Sequence, residues 1–461
     1  MRVRRRSGLL ARASDSTRKK SSSNSPIAAS PALPGSVHIE ERIASKNLVH
    51  SFYLDEKSWH EIGGAAAATR DESARWRSNF FLPAGFPGSV SQDYLQYMLW
   101  QLPTNITGWI CRALITSSLL QAVGLSTEPG SAAAASAAIK WVTKDGLGAV
   151  GRLFIGGRFG GVFDEDPKQW RLYAEVIGSF GGLFELATPL APDYFLLLAS
   201  LGHLTKAVAR GLKDPSFRVI QNHFAISENV GDVAAKEEVW EVAGQLIGLS
   251  LGVVLLSTPV VATSYSQLAL SWMIIRSFHL WLRYQTLAAL ELPTMNFKRL
   301  NVLIMEHIQG RPLSGVGECN KKENLILPYT MLMPQIRLGC SLREVITLGK
   351  TPLEIEEAFE LYNSEKYVLI VFSKSDMGIL LKDGCENTTL LRSIYQAHVL
   401  FHSKSFDTFT LKQSLTSMQK SFASFLDELV AAGWNPSKLV VKVPSFSPTY
   451  TLKANVEERQ Q

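Results

Sequence analysis

The spacing of apolar and polar positions changes character along the chain. Between residues 79 and 300 it follows helical periods. Tyr94, Tyr97 and Trp100 recur at intervals of three, so they share one helix face. They follow a turn-rich stretch, Pro83, Gly85, Pro87 and Gly88, with Ser89 or Ser91 placed to cap. Residues 106–127, ITGWICRALITSSLLQAVGLST, read as an apolar helix with one charge, Arg112. Residues 131–143 read as a helix of small residues. Asp164, Asp166 and Pro167 then announce another helix, because an acid at the N-cap and proline in the first turn suit its unpaired N–H groups. Residues 194–212 read as amphipathic, with basic residues gathered toward the helix end whose dipole favours them.

From Val242 to Ile275 there is no charged residue over 34 positions. A bilayer-spanning helix needs about 20 apolar residues. Pro259 splits the run into 242–258 and 260–282, and the pattern predicts membrane embedding. Gly244, Gly248 and Gly252 stand four apart and so form one bare face, as in small-xxx-small packing. A buried soluble hairpin is the rival reading, kept open by Gln245 and several serines.

After Pro293 the period shortens. NVLIM (301–305), KYVLIVF (366–372), MGILL (377–381) and KLVVKV (438–443) read as strands. Helical patterns lie at 353–362, 389–402 and 411–433. The expected architecture is therefore mainly α: a glycine-rich, membrane-associated helical domain followed by a smaller α+β C-terminal domain. The expected segments are a transit or disordered region at 1–46, a polar lead-in at 47–78 and the helical domain at 79–300. A linker at 301–325, the α+β domain at 326–450 and a tail at 451–461 complete them.

The stretch KDGLGAVGRLFIGGRFGG, Lys144 to Gly161, contains G-L-G-A-V-G, the form of a dinucleotide fingerprint. That fingerprint belongs between a strand and a helix, with an acid about 20 residues on. Here the preceding residues are helical in composition, and the nearest acids are Asp164 to Asp166. The context argues for helix packing instead. Gly156 with Gly160, Gly157 with Gly161, and Gly178 with Gly182 are G-x-x-x-G pairs, joined in this role by Gly146 and Gly151. Each glycine costs a helix about 1 kcal/mol relative to alanine, a cost that close helix contact offsets. Arg152 and Arg158 are placed to pair with the acids at 164–166 or to bind an anion such as a phosphate headgroup.

Charge changes the picture in one respect. The net charge is +6, but residues 1–36 alone hold eight Lys or Arg against the single acid Asp15. The remainder is close to neutral, so no nucleic-acid partner is expected. An Arg- and Ser-rich, acid-poor start resembles an organelle transit peptide, and the Ser and Pro content of 21–36 favours the plastid over another organelle. Cys111, Cys319, Cys340 and Cys385 are too scattered for a disulfide framework or a zinc site.

Catalytic patterns are lacking. His398 and His402 stand four apart but have no third ligand nearby, so no metal is expected. There is no G-x-S-x-G in the strand–turn–helix setting of an elbow, since Gly248 to Gly252 lies within the apolar helical run, and no Ser-x-x-Lys set with its partners. Basic residues Lys206, Arg210, Lys213 and Arg218 read as loop charge on the side of a membrane facing the stroma.

FLPAGFPGSVSQDYLQY, WVTKDGLGAVGRL, DPKQWRLYAE and GDVAAKEEV closely resemble motifs of the root UV-B sensitive family, in similar order over roughly residues 79–310. Members often have Ser after Asp-Val and a Gly-Ser-Gln run after Ala-Lys. Here the stretch is DVAAKEEVWE, so no role of that run carries over. The resemblance implies links to root development under UV-B light, vitamin B6 homeostasis and auxin transport, with members that associate and that lie in plastids or membranes. No reaction is established for the family, so no catalytic residue carries over and the chain is not expected to be an enzyme. The matched positions Lys144, Asp145, Gly146, Gly151, Arg152, Lys168, Gln169, Trp170 and Arg171 become candidate functional residues, with Arg158 as a further anion-binding candidate. Two functional readings follow. One is a plastid membrane protein, touching lipid and associating with itself or its relatives. The other is a binder or carrier of a phosphorylated metabolite, with pyridoxal phosphate as the possible ligand.

Overall fold

The computed structural model describes residues 2–3, 38–43, 48–55, 58–62, 80–123, 163–333, 335–373, 376–403, 405–441, 443 and 449–450. The chain divides into two compact units, residues 1–91 with 226–239, and residues 92–225 with 240–461. The first holds an antiparallel sheet of β1 (Arg2–Val3), β2 (His38–Ile43), β3 (Leu48–Asp55) and β4 (Ser58–Ile62), in that spatial order. Sequence reading placed no strand there, because charged residues interrupt the alternation. Pairing supplies what the pattern lacks: Phe52 lies opposite Ile39 on one side and Glu61 on the other.

The second unit opens with helices. α1 spans Tyr94–Val123, α2 Pro167–Leu186, α3 Phe195–Phe224, α4 Val230–Ser257, α5 Pro259–Thr263 and α6 Tyr265–Ala288, α4 starting in the first unit. Asp166 caps α2, accepting from Gln169 N–H at 3.1 Å, with Pro167 in the first turn. α3 extends twelve residues beyond the expected stop at 212 and accommodates Pro215. Lys206, Arg210, Lys213 and Arg218 therefore sit inside a helix, which corrects their reading as loop charge.

Helices α2 and α3 form an antiparallel hairpin around two bare backbones, Gly181 and Gly202. α1 packs along α6. Val242–Ile275 is not one span: the chain breaks at Thr258 and again at Ser264. Among the described residues only α4 is long and apolar enough to cross a membrane, and just 17% of its most apolar stretch is buried. α6 does not qualify by the same measure, so of the two pieces 242–258 and 260–282 only the first lies in such a helix.

The smaller part comprises α7 (Phe297–Ile308), α8 (Val316–Lys322), α9 (Tyr329–Leu332), β5 (Gln335–Leu338), α10 (Leu342–Thr347) and α11 (Pro352–Leu361). β6 (Tyr367–Ser373), β7 (Asp376–Lys382), α12 (Asn387–His402), α13 (Thr408–Ala431) and β8 (Thr449–Tyr450) follow. β7 is central: it pairs antiparallel with β6 and parallel with β5 and β8. Val368, Leu369, Ile379, Leu380, Leu391, Ile394 and Phe425 pack into one core.

Two expected strands are absent. NVLIM is helical, because Asn296 caps α7 by accepting from Arg299 N–H at 2.9 Å and Leu300, Leu303 and Ile304 then share a buried face. KLVVKV makes only an isolated bridge from Leu439 to Met295 among the described residues. Where a linker was expected, at 301–325, the chain forms most of α7 and all of α8.

Candidate functional site

Two charged clusters lie inside the second unit, and their geometry differs. The first ties α2 to the segment that follows α6. Lys168 Nζ donates to Leu290 O at 2.7 Å and Asn320 Oδ1 at 2.6 Å, and lies 3.4 Å from Glu323 Oε2. Arg299 Nε reaches the same carboxylate at 3.2 Å, and Asn296 Nδ2 donates to Glu323 Oε1 at 3.0 Å. The Lys168, Arg299 and Glu323 side chains are fully buried. Burial works to raise the Glu323 pKa, but Arg299 and Lys168 bring it down to about 2. Burial pushes Lys168 down to about 8. This cluster is closed, with Arg299 Nη2 its one atom lacking a hydrogen-bond partner among the described residues, and Lys168 Nζ is fully engaged, so Lys168 holds structure together. Gln169 Nε2 donates to Tyr173 Oη at 3.0 Å, and Trp170 stands edge-on to Phe163 and Tyr173. Neither lines the cavity described next.

The second cluster surrounds Glu175. Arg276 Nη2 and His279 Nε2 each lie 3.2 Å from Glu175 Oε2, and Arg283 Nη2 lies 3.3 Å from Oε1. Arg276 also donates from Nε to Ser179 Oγ at 2.7 Å, and Arg283 Nη1 donates to Gln101 Oε1 at 2.7 Å. Burial would raise the Glu175 pKa, yet Arg283, His279 and Arg276 hold it well below the usual carboxylate range. Arg171 is buried beside this cluster, its guanidinium 5.0 Å over the Phe217 ring. Its Nε and Nη1 find no hydrogen-bond partner among the described residues.

This second cluster borders a cavity of about 720 Å³ between α1, α2, α3 and α6. Its cationic lining is Arg112, Lys206, Arg210, Lys213 and Arg276, with His203 alongside, against two carboxylates, Glu175 and Glu185. Glu175 is engaged by Arg276, and Glu185 Oε2 by Lys206 Nζ at 2.5 Å. Among the described residues, Arg112, Arg210 and Lys213 therefore leave the cavity with surplus positive charge. Arg112 and Arg210 are exposed at its mouth, while Lys213 is half-buried. His203, Lys206, Arg210 and Lys213 follow at spacings of three, four and three, one face of α3. The charge of Arg171, then burial, lowers the Lys213 pKa to about 8. Such a lining can hold an anion of small-molecule size, since ligand pockets run to about 300–1,000 Å³.

Lys144, Asp145, Gly146, Gly151, Arg152, Gly156, Gly157, Arg158, Gly160 and Gly161 lie outside the described residues. Of the other candidate glycines, Gly244, Gly248 and Gly252 face α1. A Cβ on them would meet Asn105 Cβ at 2.8 Å, Ile106 O at 2.6 Å and Ala113 Cβ at 2.8 Å respectively. Gly182 gives way to the Trp272 ring, 2.7 Å from an added Cβ, whereas Gly178 has ordinary room, 3.5 Å from Ala209 Cβ. The cavity residues on α3 escaped sequence reasoning, although their three-four-three spacing was a signal. His398 is buried with neither ring nitrogen paired, and among the described residues no group of three His, Cys, Asp or Glu could hold a metal ion. All four cysteines are free.

Comparison with known proteins sets this geometry in a family context. Residues 68–311 match a family model described as a vitamin B6 photo-protection and homoeostasis domain. Residues 313–443 match one described as root UVB sensitive protein, C-terminal. The chain is 50% identical over 382 residues to protein root UVB sensitive 5 of Arabidopsis thaliana, covering 80% of this chain and 75% of that one. It is 27% identical to root UVB sensitive 3 of the same plant, covering 81% and 85%. It is 26% identical to a third relative there, named root UVB sensitive 2, chloroplastic, covering 77% and 81%. No solved structure matches.

Proposed function

The chain belongs to the root UVB sensitive family, and on that premise we propose that it is a non-enzymatic, membrane-associated protein whose helical domain binds an anionic small molecule. The ligand class is a phosphorylated metabolite, held between α1, α2, α3 and α6. The observation that carries this reading is the surplus of cations in the cavity: Arg112, Arg210 and Lys213 line it with no carboxylate of their own among the described residues. The vitamin B6 wording of the matching family model makes phosphorylated B6 vitamers the first probes. Membrane association is supported by α4, apolar and largely uncovered. Plastid residence is supported by the transit-like start and by the relative whose name reads chloroplastic.

Calorimetry with pyridoxine 5′-phosphate and with inorganic phosphate tests the reading. Binding is expected, and Arg210→Ala is expected to weaken it at least about tenfold, as loss of a charge-assisted contact does. Absence of heat from every phosphate compound overturns it. A carbonate wash of the membrane fraction tests association: complete release of the protein refutes it.

A second reading is helix-mediated association with further copies or relatives. It is favoured by the apolar residues that α6 leaves exposed on one side, Leu270, Met273, Ile274, Phe278 and Trp281. Crosslinking within isolated membranes tests it, and a protein that stays monomeric there refutes it.

A further inference from the structure

We propose that Lys213 is a reactive amine: it condenses with the carbonyl group of an anionic aldehyde in the cavity while Arg210 grips the anionic end. This rests on the cavity reading above and narrows the ligand to aldehydes that carry a phosphate or carboxylate.

The geometry singles out this lysine. Residues three apart on a helix have Cβ atoms about 5–6 Å from each other, so an anion held at Arg210 leaves the rest of a small ligand within reach of Lys213 Nζ. Lys206, on the same face, is occupied by Glu185. Lys168 is sealed against Glu323 and Asn320 and does not line this cavity. Lys213 makes no hydrogen bond or ion pair with any described residue, yet it is half-buried and borders about 720 Å³ of open space.

Its surroundings favour the neutral, nucleophilic amine. The charged groups facing it are Arg171 and Glu175 from α2, Arg283 from α6 and Glu241 from α4. Glu175 is already shared among Arg276, His279 and Arg283, so the two arginines prevail. With a pKa lowered to about 8, roughly a tenth of the amine is unprotonated near neutrality, whereas an ordinary lysine has well under a thousandth. In the step itself the Nζ lone pair attacks the carbonyl carbon, and a proton passes from nitrogen to oxygen to give a carbinolamine. The carbon–oxygen bond then breaks with loss of water as the carbon–nitrogen double bond forms. Amine and aldehyde give imine and water, and no oxidant or reductant is consumed.

Full-length protein incubated with pyridoxal 5′-phosphate, reduced with borohydride and mapped by mass spectrometry reads out the site directly. The expected result is labelling of Lys213 at least about tenfold above exposed lysines such as Lys412 and Lys420, rising with pH through a midpoint near 8. Lys213→Arg should lose this label without its reappearing at Lys206 or Lys168, which are held by Glu185 and Glu323. Labelling spread evenly over surface lysines overturns the proposal, and the wild-type map decides this even if the variant fails to fold. Binding of pyridoxine 5′-phosphate without labelling at Lys213 sinks this inference alone. Failure of both measurements sinks the cavity reading with it.

Discussion

Gly181 and Gly202 meet backbone to backbone: a Cβ built on either would lie 2.7 Å from the carbonyl oxygen of the other. The α2–α3 hairpin can therefore close only where both side chains are absent. Since α2 and α3 supply two walls of the cavity, this contact sets the separation of Glu175 and Glu185 from Lys206, Arg210 and Lys213.

Gly202→Ala is expected to destabilise the protein by about 1–3 kcal/mol, the usual cost of overpacking, because the new methyl also meets Glu185 Cγ at 2.6 Å. Gly178→Ala, on the same helix pair with room to spare, should be neutral or gain up to about 1 kcal/mol from helix propensity. Thermal unfolding of the two variants side by side checks this. Equal effects would show that close approach at Gly202 is not what limits packing.

Glu323→Gln should cost about 3–5 kcal/mol, because it leaves Lys168 and Arg299 buried together without a counter-charge. The folded pKa of Glu323, about 2, lies below its ordinary value of 4.5. The carboxylate thus contributes its full stability above about pH 4.5, and that contribution is lost as pH falls toward 2. Denaturant titration of wild type and variant should show their difference shrinking over that window. A constant difference would mean that Glu323 does not carry the charge pairing.

His398 gives acid sensitivity of a different origin. Burial lowers its pKa from 6.5 to about 3, with His402 adding to the effect. Between those values the unfolded chain takes up a proton that the folded chain refuses, so stability falls as pH drops from 6.5 toward 3. The full effect is on the order of 4–5 kcal/mol. His398→Leu keeps an apolar side chain of similar size and should flatten this dependence. An unchanged pH profile in chemical denaturation would assign the acid sensitivity elsewhere.

Local signals were legible wherever partners lie within a few residues. Asp166 and Pro167 start α2 as their chemistry requires, and Thr351 with Glu354 forms a capping box at α11. The apolar runs at 366–372 and 377–381 became β6 and β7. NVLIM misled because its apolar residues suit either period. Asn296 settled the matter by capping the backbone just upstream.

By itself the sequence determined the family, the helical N-terminal part, the smaller part with strands after it, and an uncharged stretch apolar enough to cross a bilayer. These rest on composition and on contacts between near neighbours along the chain. Tertiary structure alone decided which glycines touch and which cations share a cavity. Arg112, Lys213 and Arg276 come from three helices, and no rule of spacing relates them. Lys168 and Lys213 show the reason most plainly. Both are lysines on helices of one unit, yet one is sealed against Glu323 and the other borders open space, because electrostatics and burial act through distance in space and not along the chain.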